Sequence, residues 1–460
     1  MIMKNSIIYI LLIIFWGSCQ SEVLPHSDND NKIVLSNEEY NSIAFEQGAK
    51  LSDNEILNLV NGFVLSADSR TETKSANNKY SISKRYYWQD SEINSFVTKS
   101  SNVDSLEICE VDINEDEQVL VVTNRDCPHV VSYTKKTKDN GLIDDIYPLV
   151  AMREIAKYSA ISTFRQKKFR NDSIRLQTEA KINLHFGWDS KEFSFAKIKD
   201  KIHRIGMDTK SIPEENPYGH VYFRSNNTRT KTTWNQDVPY NSKLPQQCSY
   251  TTQYEGRYPV GCAVVCIAQV LAHLEPYLYC DGYTMDWKSL KKESTIKRSS
   301  VATLRNQVGA LMKFIGTHTK AVYGCAGTSM NTGYAMTNFL PIYGVISDAE
   351  KALNVSSVYS SLSKGNIVVL RGASEEGRHA WILDEYLITQ PGYDFGDYNL
   401  KIDYVRANMG WGGDESDGFY EISEQGILEF NTITGGNFIS GIQSGPNRVC
   451  RLPQLYPARW

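Results

Sequence analysis

The chain has 460 residues, 41% of them hydrophobic and 11% aromatic, which is enough for roughly two or three compact units with cores of their own. Its formal net charge is −4 and no block of like charges occurs, which disfavours nucleic acid or an anionic membrane surface as a partner. The nine cysteines include no Cys-x-x-Cys pair, so no metal or other cofactor is expected, and their disulfide pairing cannot be assigned from sequence.

The N-terminal residues are typical of an export signal. Lys4 precedes a short apolar run, 7–16, so we predict a cleaved signal peptide at 1–18 rather than a membrane span. Gly17-Ser18-Cys19 resembles a bacterial lipobox, in which the cysteine becomes a lipidated N-terminus, although Trp16 stands where leucine is usual. The sequence therefore indicates a bacterial protein that is either secreted or anchored at the surface or outer membrane through a lipid on Cys19.

The composition of the next segments predicts a tether, a small domain and a linker. Residues 19–34 are polar and lack periodicity, which indicates a flexible tether. Residues 35–165 contain two capping boxes, at Ser36 and Ser52, a strand-like run at 118–123 and a helix pattern at 149–164. They predict a small α+β domain. Residues 166–232 are rich in charge, Asn and Thr, and are predicted to be a linker and activation region.

A second domain is predicted at 233–460, with a buried helix near its start. The pattern over 261–273 is apolar nearly all round, and Pro259 and Gly261 place the helix start near Cys262. A thiol at a helix N-terminus is stabilised as thiolate by the macrodipole, and the free N–H groups there can bind an oxyanion. Position alone does not distinguish a nucleophile from a small core cysteine. Later runs predict strands at 366–372, 380–385, 400–407 and 419–422.

Two further residues complete a possible thiol–imidazole site. His379 follows a polar turn and opens an apolar strand, where an imidazole can be held firmly as a general base. Asn408 closes another strand and is predicted to accept a hydrogen bond from that imidazole, while Trp411 shields the bond from water. Taken alone, His379 could equally well be a surface-loop histidine, and Asn408 an ordinary turn residue at a strand end. Their order and separation after Cys262 are those of papain-like enzymes.

These motifs resemble the streptopain family of papain-clan cysteine peptidases. The matching segments are 233–241, Gly261-Cys262 with Ala268-Gln269, 323–329, 377–380, 408–413 and Asp417-Gly418-Phe419, and 117–126 resembles a propeptide strand more weakly. Three features depart from the family pattern: Met409 replaces a tryptophan, Cys266 lies one turn beyond Cys262, and a glycine-rich loop is reduced to 434–437.

The resemblance implies an α+β fold with a papain-like two-lobed catalytic domain, a helical lobe plus a twisted antiparallel sheet, preceded by a small α+β propeptide domain. It implies endopeptidase activity on proteins or peptides, with Cys262, His379 and Asn408 catalytic, and Gln236 as an oxyanion-hole donor. The propeptide would act as an intramolecular inhibitor that fills or distorts the cleft until it is removed. The alternatives are a catalytically degenerate surface lipoprotein that acts as a binding module, and a related acyltransferase with the same triad.

Overall fold

The computed structural model describes residues 32–45, 48–67, 78–89, 105–136, 147–189, 193–205, 220–225, 229–250, 253–374, 377–390, 400–413, 416–429 and 435–442. The predicted signal peptide, Cys19 and most of the predicted tether lie outside these residues. We call the described residues of 32–225 the N-terminal unit and those of 229–442 the C-terminal unit. In the part of the chain that is described, no helix has the length and apolar character needed to span a bilayer.

The elements follow in chain order. The N-terminal unit contains β1 (Ile33–Leu35), α1 (Asn37–Ala44), α2 (Asp53–Ala67), β2 (Tyr80–Gln89), β3 (Ser105–Ile113), β4 (Glu117–Val122), β5 (His129–Lys135), α3 (Tyr147–Phe186), α4 (Phe195–Ile198), a 3-10 turn (Lys199–Lys201), β6 (Ile202–Arg204) and β7 (His220–Arg224). The C-terminal unit contains α5 (Cys262–Leu274), β8 (Tyr279–Cys280), β9 (Tyr283–Thr284), α6 (Trp287–Leu290), α7 (Ala302–His318), α8 (Thr332–Tyr334), a π-helical segment (Ala335–Phe339), a 3-10 segment (Leu340–Tyr343), β10 (Val345–Ser347), α9 (Val355–Ser363), β11 (Val368–Ser374), β12 (Gly377–Gln390), β13 (Ile402–Asn408), β14 (Gly418–Glu421), α10 (Glu424–Glu429) and β15 (Gly435–Ile442).

The two helices predicted from capping boxes begin where the sequence places them. At α1, the Ser36 hydroxyl accepts from the Glu39 N–H at 3.1 Å and the Glu39 carboxylate accepts from the Ser36 N–H at 2.7 Å. At α2, the Ser52 N–H donates to Glu55 at 2.8 Å. These bonds satisfy N–H groups that the first helical turn leaves free.

Helix α3 is longer than the sequence pattern predicts. It runs over 40 residues, so the predicted domain boundary at 165/166 falls inside it. Its second half is polar, but ion pairs one turn apart support it, Lys168–Asp172 at 3.0 Å and Arg175–Glu179 at 2.8 Å. A charge-rich stretch that resembles a linker in composition is therefore helical here.

Eleven of the described strands form one large antiparallel sheet that passes through both units, whereas β1 pairs with β6 in parallel and β8 pairs with β9, as two small separate sheets. The order of the large sheet is β10-β15-β11-β12-β13-β14-β5-β4-β3-β2, and β7 pairs with the end of β12. The units join where β14 pairs with β5, with Phe419 opposite Tyr133. Residues 435–437, predicted as a shortened loop, instead begin β15, which pairs with β11. Residues 443–450, whose sequence makes a poor final strand, lie outside the described residues.

The helical lobe packs against one part of this sheet. Helix α5 is buried along most of its length and packs on α7 and β12. Its apolar side chains join the lobe's main core, which explains the apolar character of the sequence on all sides of the helix. The helical lobe, the antiparallel sheet and the smaller α+β unit confirm the predicted fold class.

Candidate active site

Cys262 lies at the first position of α5, held there by a glycine that no other residue could replace without strain. Gly261 has φ +93°, and a Cβ on it would lie 2.6 Å from the Thr328 carbonyl oxygen. The Thr328 hydroxyl donates to the Pro259 carbonyl at 2.6 Å and fixes the neighbouring segment against the helix start. Cys262 is partly buried, and the Ala380 N–H points at its Sγ at 3.4 Å.

His379 reaches Cys262 from β12, on the opposite side of the cleft. In the sheet it pairs with Gly372 of β11, and its side chain lines the same cleft as Cys262, near enough for each group to shift the pKa of the other. Its Nε2 lies 3.2 Å from the Met409 carbonyl oxygen, which can only accept, so Nε2 carries a proton. Nδ1 is then left to exchange a proton with the thiol. The ring centroids of Trp411 and His379 lie 5.1 Å apart, so Trp411 packs beside the imidazole.

The electrostatics of the pair favour the charged forms. Burial alone would raise the pKa of Cys262, but the neighbouring His379 and the N–H groups of Ala380 and Ala263 lower it below its ordinary value. Burial alone would lower the pKa of His379, but Cys262 and the Met409 carbonyl raise it. Each group shifts the other toward a thiolate–imidazolium pair, which is the reactive state of a thiol nucleophile.

Asn408 does not make the hydrogen bond that the sequence predicts. Its buried Nδ2 donates to the Thr232 carbonyl at 2.9 Å and to Thr230 Oγ1 at 3.1 Å, and its Oδ1 accepts from the Gly410 N–H at 3.1 Å. The side chain also meets Gln269, whose amide oxygen accepts from Nδ2 at 3.2 Å. The expected contact with the imidazole is therefore wrong, because the side chain faces inward and the Met409 carbonyl takes that place.

Asp417 holds Met409 in position for this contact. Its Oδ1 accepts from the Met409 N–H at 2.8 Å, while Arg406 lies 4.0 Å from its other oxygen. Burial raises the pKa of Asp417 to about 6, although Arg406 and the Met409 N–H favour the charged form. Arg406 also binds Asp384 at 2.7 Å, which fixes it between two carboxylates. The sequence motif contains Asp417, but nothing in the sequence links it to Met409.

Gln236 lies on the segment that precedes the nucleophile helix. Its backbone oxygen accepts from the Val260 N–H at 2.9 Å, two residues before Cys262, and its N–H donates to Asn235 at 2.7 Å. These bonds bring the Gln236 backbone close to the helix start. Its role as an oxyanion donor stays a prediction.

A cleft of about 570 Å³ opens over Cys262 and His379. Three cations, Lys320, Arg371 and Arg378, line it with no carboxylate among its lining residues, and Arg371 is paired with Glu350 at 2.5 Å. All lining residues belong to the C-terminal unit; none of the described residues of the N-terminal unit is among them. The inhibitory role expected of the N-terminal unit stays a prediction.

One wall of the cleft is fastened by a disulfide. Cys248 and Cys325 are bonded, with their Cα atoms 5.5 Å apart. Cys325 is in the loop that carries Thr328, so the bond ties this loop to the segment before α5. The pairing could not be assigned from sequence.

The Peptidase C10 family model matches residues 234–420. This region belongs to that family. The predicted family is thus confirmed, and the C10 domain contains all five residues named from sequence, Gln236, Cys262, His379, Asn408 and Trp411. No curated protein gives a significant match to the chain.

Two solved structures are similar to parts of this chain. A fragment of prointerpain A from Prevotella intermedia is 15% identical with a TM-score of 0.43, and the match covers 79% of this chain and 100% of that one. Active interpain A from the same organism is 18% identical with a TM-score of 0.34, and the match covers 50% of this chain and 98% of that one.

Proposed function

We propose that this chain is an exported cysteine endopeptidase, made as a precursor, which hydrolyses peptide bonds of proteins. The observation that carries the proposal is that Cys262 and His379 line one open cleft within a C10 domain and shift each other's pKa toward the charged forms. Export and a lipid anchor on Cys19 rest on the sequence of the first residues. Activation by a cut within 166–232 rests on composition and on the resemblance to zymogens.

In the proposed mechanism, the Cys262 thiolate attacks the carbonyl carbon of the scissile peptide bond. The oxyanion that forms is stabilised by N–H groups at the α5 start, with Gln236 as a second donor. The His379 imidazolium then protonates the leaving amine, and the C–N bond breaks to give a thioester on Cys262. Neutral His379 next removes a proton from water, which attacks the thioester and releases the carboxylic acid and the thiol.

The roles of the remaining residues follow from their contacts. The Met409 carbonyl orients His379, and Asp417 holds the N–H of the same residue. Asn408 and Gln269 tie the strand end to the segment at 230–232. Asp417 acts on His379 through Met409, and Asn408 and Gln269 hold neighbouring segments, so we assign these three residues positioning roles.

Casein hydrolysis by the purified protein, mildly reduced and cut within 166–232, tests the proposal. We expect the parent to cleave casein, Cys262→Ala and His379→Ala to lose turnover, and iodoacetamide to label Cys262 first. Cys280→Ala is the matched control, because it removes another free buried thiol away from the cleft. Cleavage by the Cys262→Ala protein at the parent rate would exclude the mechanism. An inert parent whose Cys262 is no more reactive than Cys280 would favour the binding-module alternative.

A further inference from the structure

We infer that the N-terminal unit and the C-terminal unit form one continuous folded body, which stays together in native buffer even after the chain is cut between them. This goes beyond the proposed function, which includes an activating cut within 166–232 but does not say what becomes of the N-terminal unit afterwards. It does not depend on catalysis. Three features of the contact between the units support it.

The first feature is the continuous sheet. Strand β5 pairs with β14 over three residue pairs, which leaves β14 without a free edge. A Cβ on Gly418 of β14 would lie 2.2 Å from the Tyr133 carbonyl oxygen, so the close approach of the two strands requires glycine there. Without the N-terminal unit, β14 would become an exposed sheet edge.

The second feature is that the N-terminal unit covers both faces of the strands β12–β14. On one face, α3 packs against them and contributes Met152, Ile155 and Phe164 to a core shared with Val405 and Tyr420. The residues of this shared core are almost completely inaccessible to solvent. Such a contact resembles a domain core rather than the more polar surface of a transient complex.

On the other face, α2 covers a second core, to which β3–β5 and β12–β14 both contribute side chains. Phe63 of α2 packs on Tyr404 of β13 with ring centroids 5.1 Å apart, and the Tyr404 hydroxyl donates to the Val130 carbonyl at 2.6 Å. Phe419 and Leu387 are buried in the same cluster. Loss of the N-terminal unit would expose large aromatic and aliphatic side chains on both faces of one sheet.

The third feature is a set of buried polar contacts across the boundary. His129 of β5 lies 3.2 Å from the carboxylate of Glu421 on β14, and both side chains are nearly inaccessible to solvent. Thr163 of α3 donates to the other Glu421 oxygen at 2.7 Å. Arg224 of β7 joins Glu385 at 2.7 Å and also donates to the Ser66 carbonyl at 2.6 Å. Separation would leave Glu421 without His129 and would take Arg224 away from Glu385, which would retain Arg229 at 3.6 Å.

A nicked protein tests the inference. In the Cys262→Ala background, which prevents self-cleavage, a recognition site for an added protease is inserted between Ser225 and Arg229, at the boundary of the two units, and cut to completion. We expect both fragments to co-elute at the mass of the intact chain in native buffer and to separate only in denaturant. Elution of the fragments apart in native buffer would overturn the inference.

Two phenylalanines of α3 provide a matched pair of variants. Phe164 is 3% exposed and lies in the shared core, whereas Phe169 is 78% exposed on the same helix. In the nicked protein we expect Phe164→Ala to raise the dissociation constant of the fragments by about a hundredfold or more, and Phe169→Ala to leave it unchanged. Equal effects of the two changes would also contradict the inference. Casein assays on the parent chain report separately on the proposed function.

Discussion

At the scale of single residues, the reactivity of Cys262 depends on His379. We expect the iodoacetamide rate at Cys262, measured against pH, to reach half its maximum below the ordinary thiol pKa of about 9. In His379→Ala the half-point should move upward, because burial then acts without a neighbouring imidazolium. Cys280, whose pKa burial raises to about 12, should react slowly throughout and is the internal control. Identical profiles for the parent and His379→Ala would contradict the assignment.

Alanine substitution of Asp417 should mainly lower activity, whereas alanine substitution of Asn408 should mainly lower stability. Asp417→Ala removes the acceptor for the Met409 N–H, so we expect kcat to fall on the order of tenfold or more and its pH profile to shift. Asn408→Ala removes bonds to Thr230 and Thr232, so we expect a loss of about 1–3 kcal/mol of stability with the parent pH profile retained. Kinetics and urea unfolding measure the two effects. If the pH profile of kcat in Asp417→Ala matches that of the parent, Asp417 has a structural role and does not position His379.

The cations of the cleft should influence substrate choice. Lys320 is exposed in the lining, so Lys320→Glu should lower kcat/KM for peptides with acidic side chains and raise it for basic ones. Lys313→Glu is the control, because Lys313 is also exposed but pairs with Asp281 outside the cleft. The difference between the two variants should shrink at high salt. If both variants have the same effect, the charge of the cleft does not select substrates.

At the scale of elements, the loop that carries Thr328 sets the start of α5. In Gly261→Ala the new Cβ meets the Thr328 carbonyl and the positive φ is strained, so we expect about 1–3 kcal/mol less stability and a lower kcat/KM. Gly327→Ala, in the same loop, places its Cβ in open space and should behave as the parent does. Thermal unfolding and peptide assays measure both. Equal effects would show that the contact with Thr328 is not what constrains Gly261.

Sequence patterns predicted the helix and strand that carry Cys262 and His379 better than they predicted the contacts between distant segments. The apolar pattern at 261–273 predicted α5 within one residue of its observed bounds, whereas the run at 380–385 located the middle of β12 but not its full length of 14 residues. The predicted helix at 149–164 is shorter than α3, because the polar second half of α3 is supported by ion pairs rather than by an apolar face. The inward orientation of Asn408 depends on Thr230 and Thr232, which are far away in sequence. No local pattern reveals such contacts.

At the scale of the whole molecule, the His129–Glu421 pair links stability to pH. Burial would lower the pKa of His129, but Glu421 and Cys127 raise it well above its ordinary value. A raised pKa means that the stabilisation is complete below the ordinary histidine pKa and is lost as pH rises through the folded value. We therefore expect the urea midpoint of the Cys262→Ala protein to fall on the alkaline side.

His129→Asn provides the comparison. It should remove this pH dependence and, by leaving Glu421 buried without its charged partner, destabilise the protein by about 3–5 kcal/mol at neutral pH. Glu38→Gln, which removes an ion pair between exposed parts of α1 and α3, should have little effect. An unchanged slope of the urea midpoint against pH in His129→Asn would show that another group titrates.

The bond between Cys248 and Cys325 has a practical consequence for anyone who handles this protein. Thiol-dependent proteins are commonly stored with a reducing agent, because an oxidised nucleophile is inactive. Here the same reagent can open a bond whose exposed half, Cys325, belongs to the cleft wall. Peptidase activity should therefore rise and then fall as the concentration of dithiothreitol is increased. Loss of activity under strong reduction would then reflect the opened disulfide and not the absence of a peptidase.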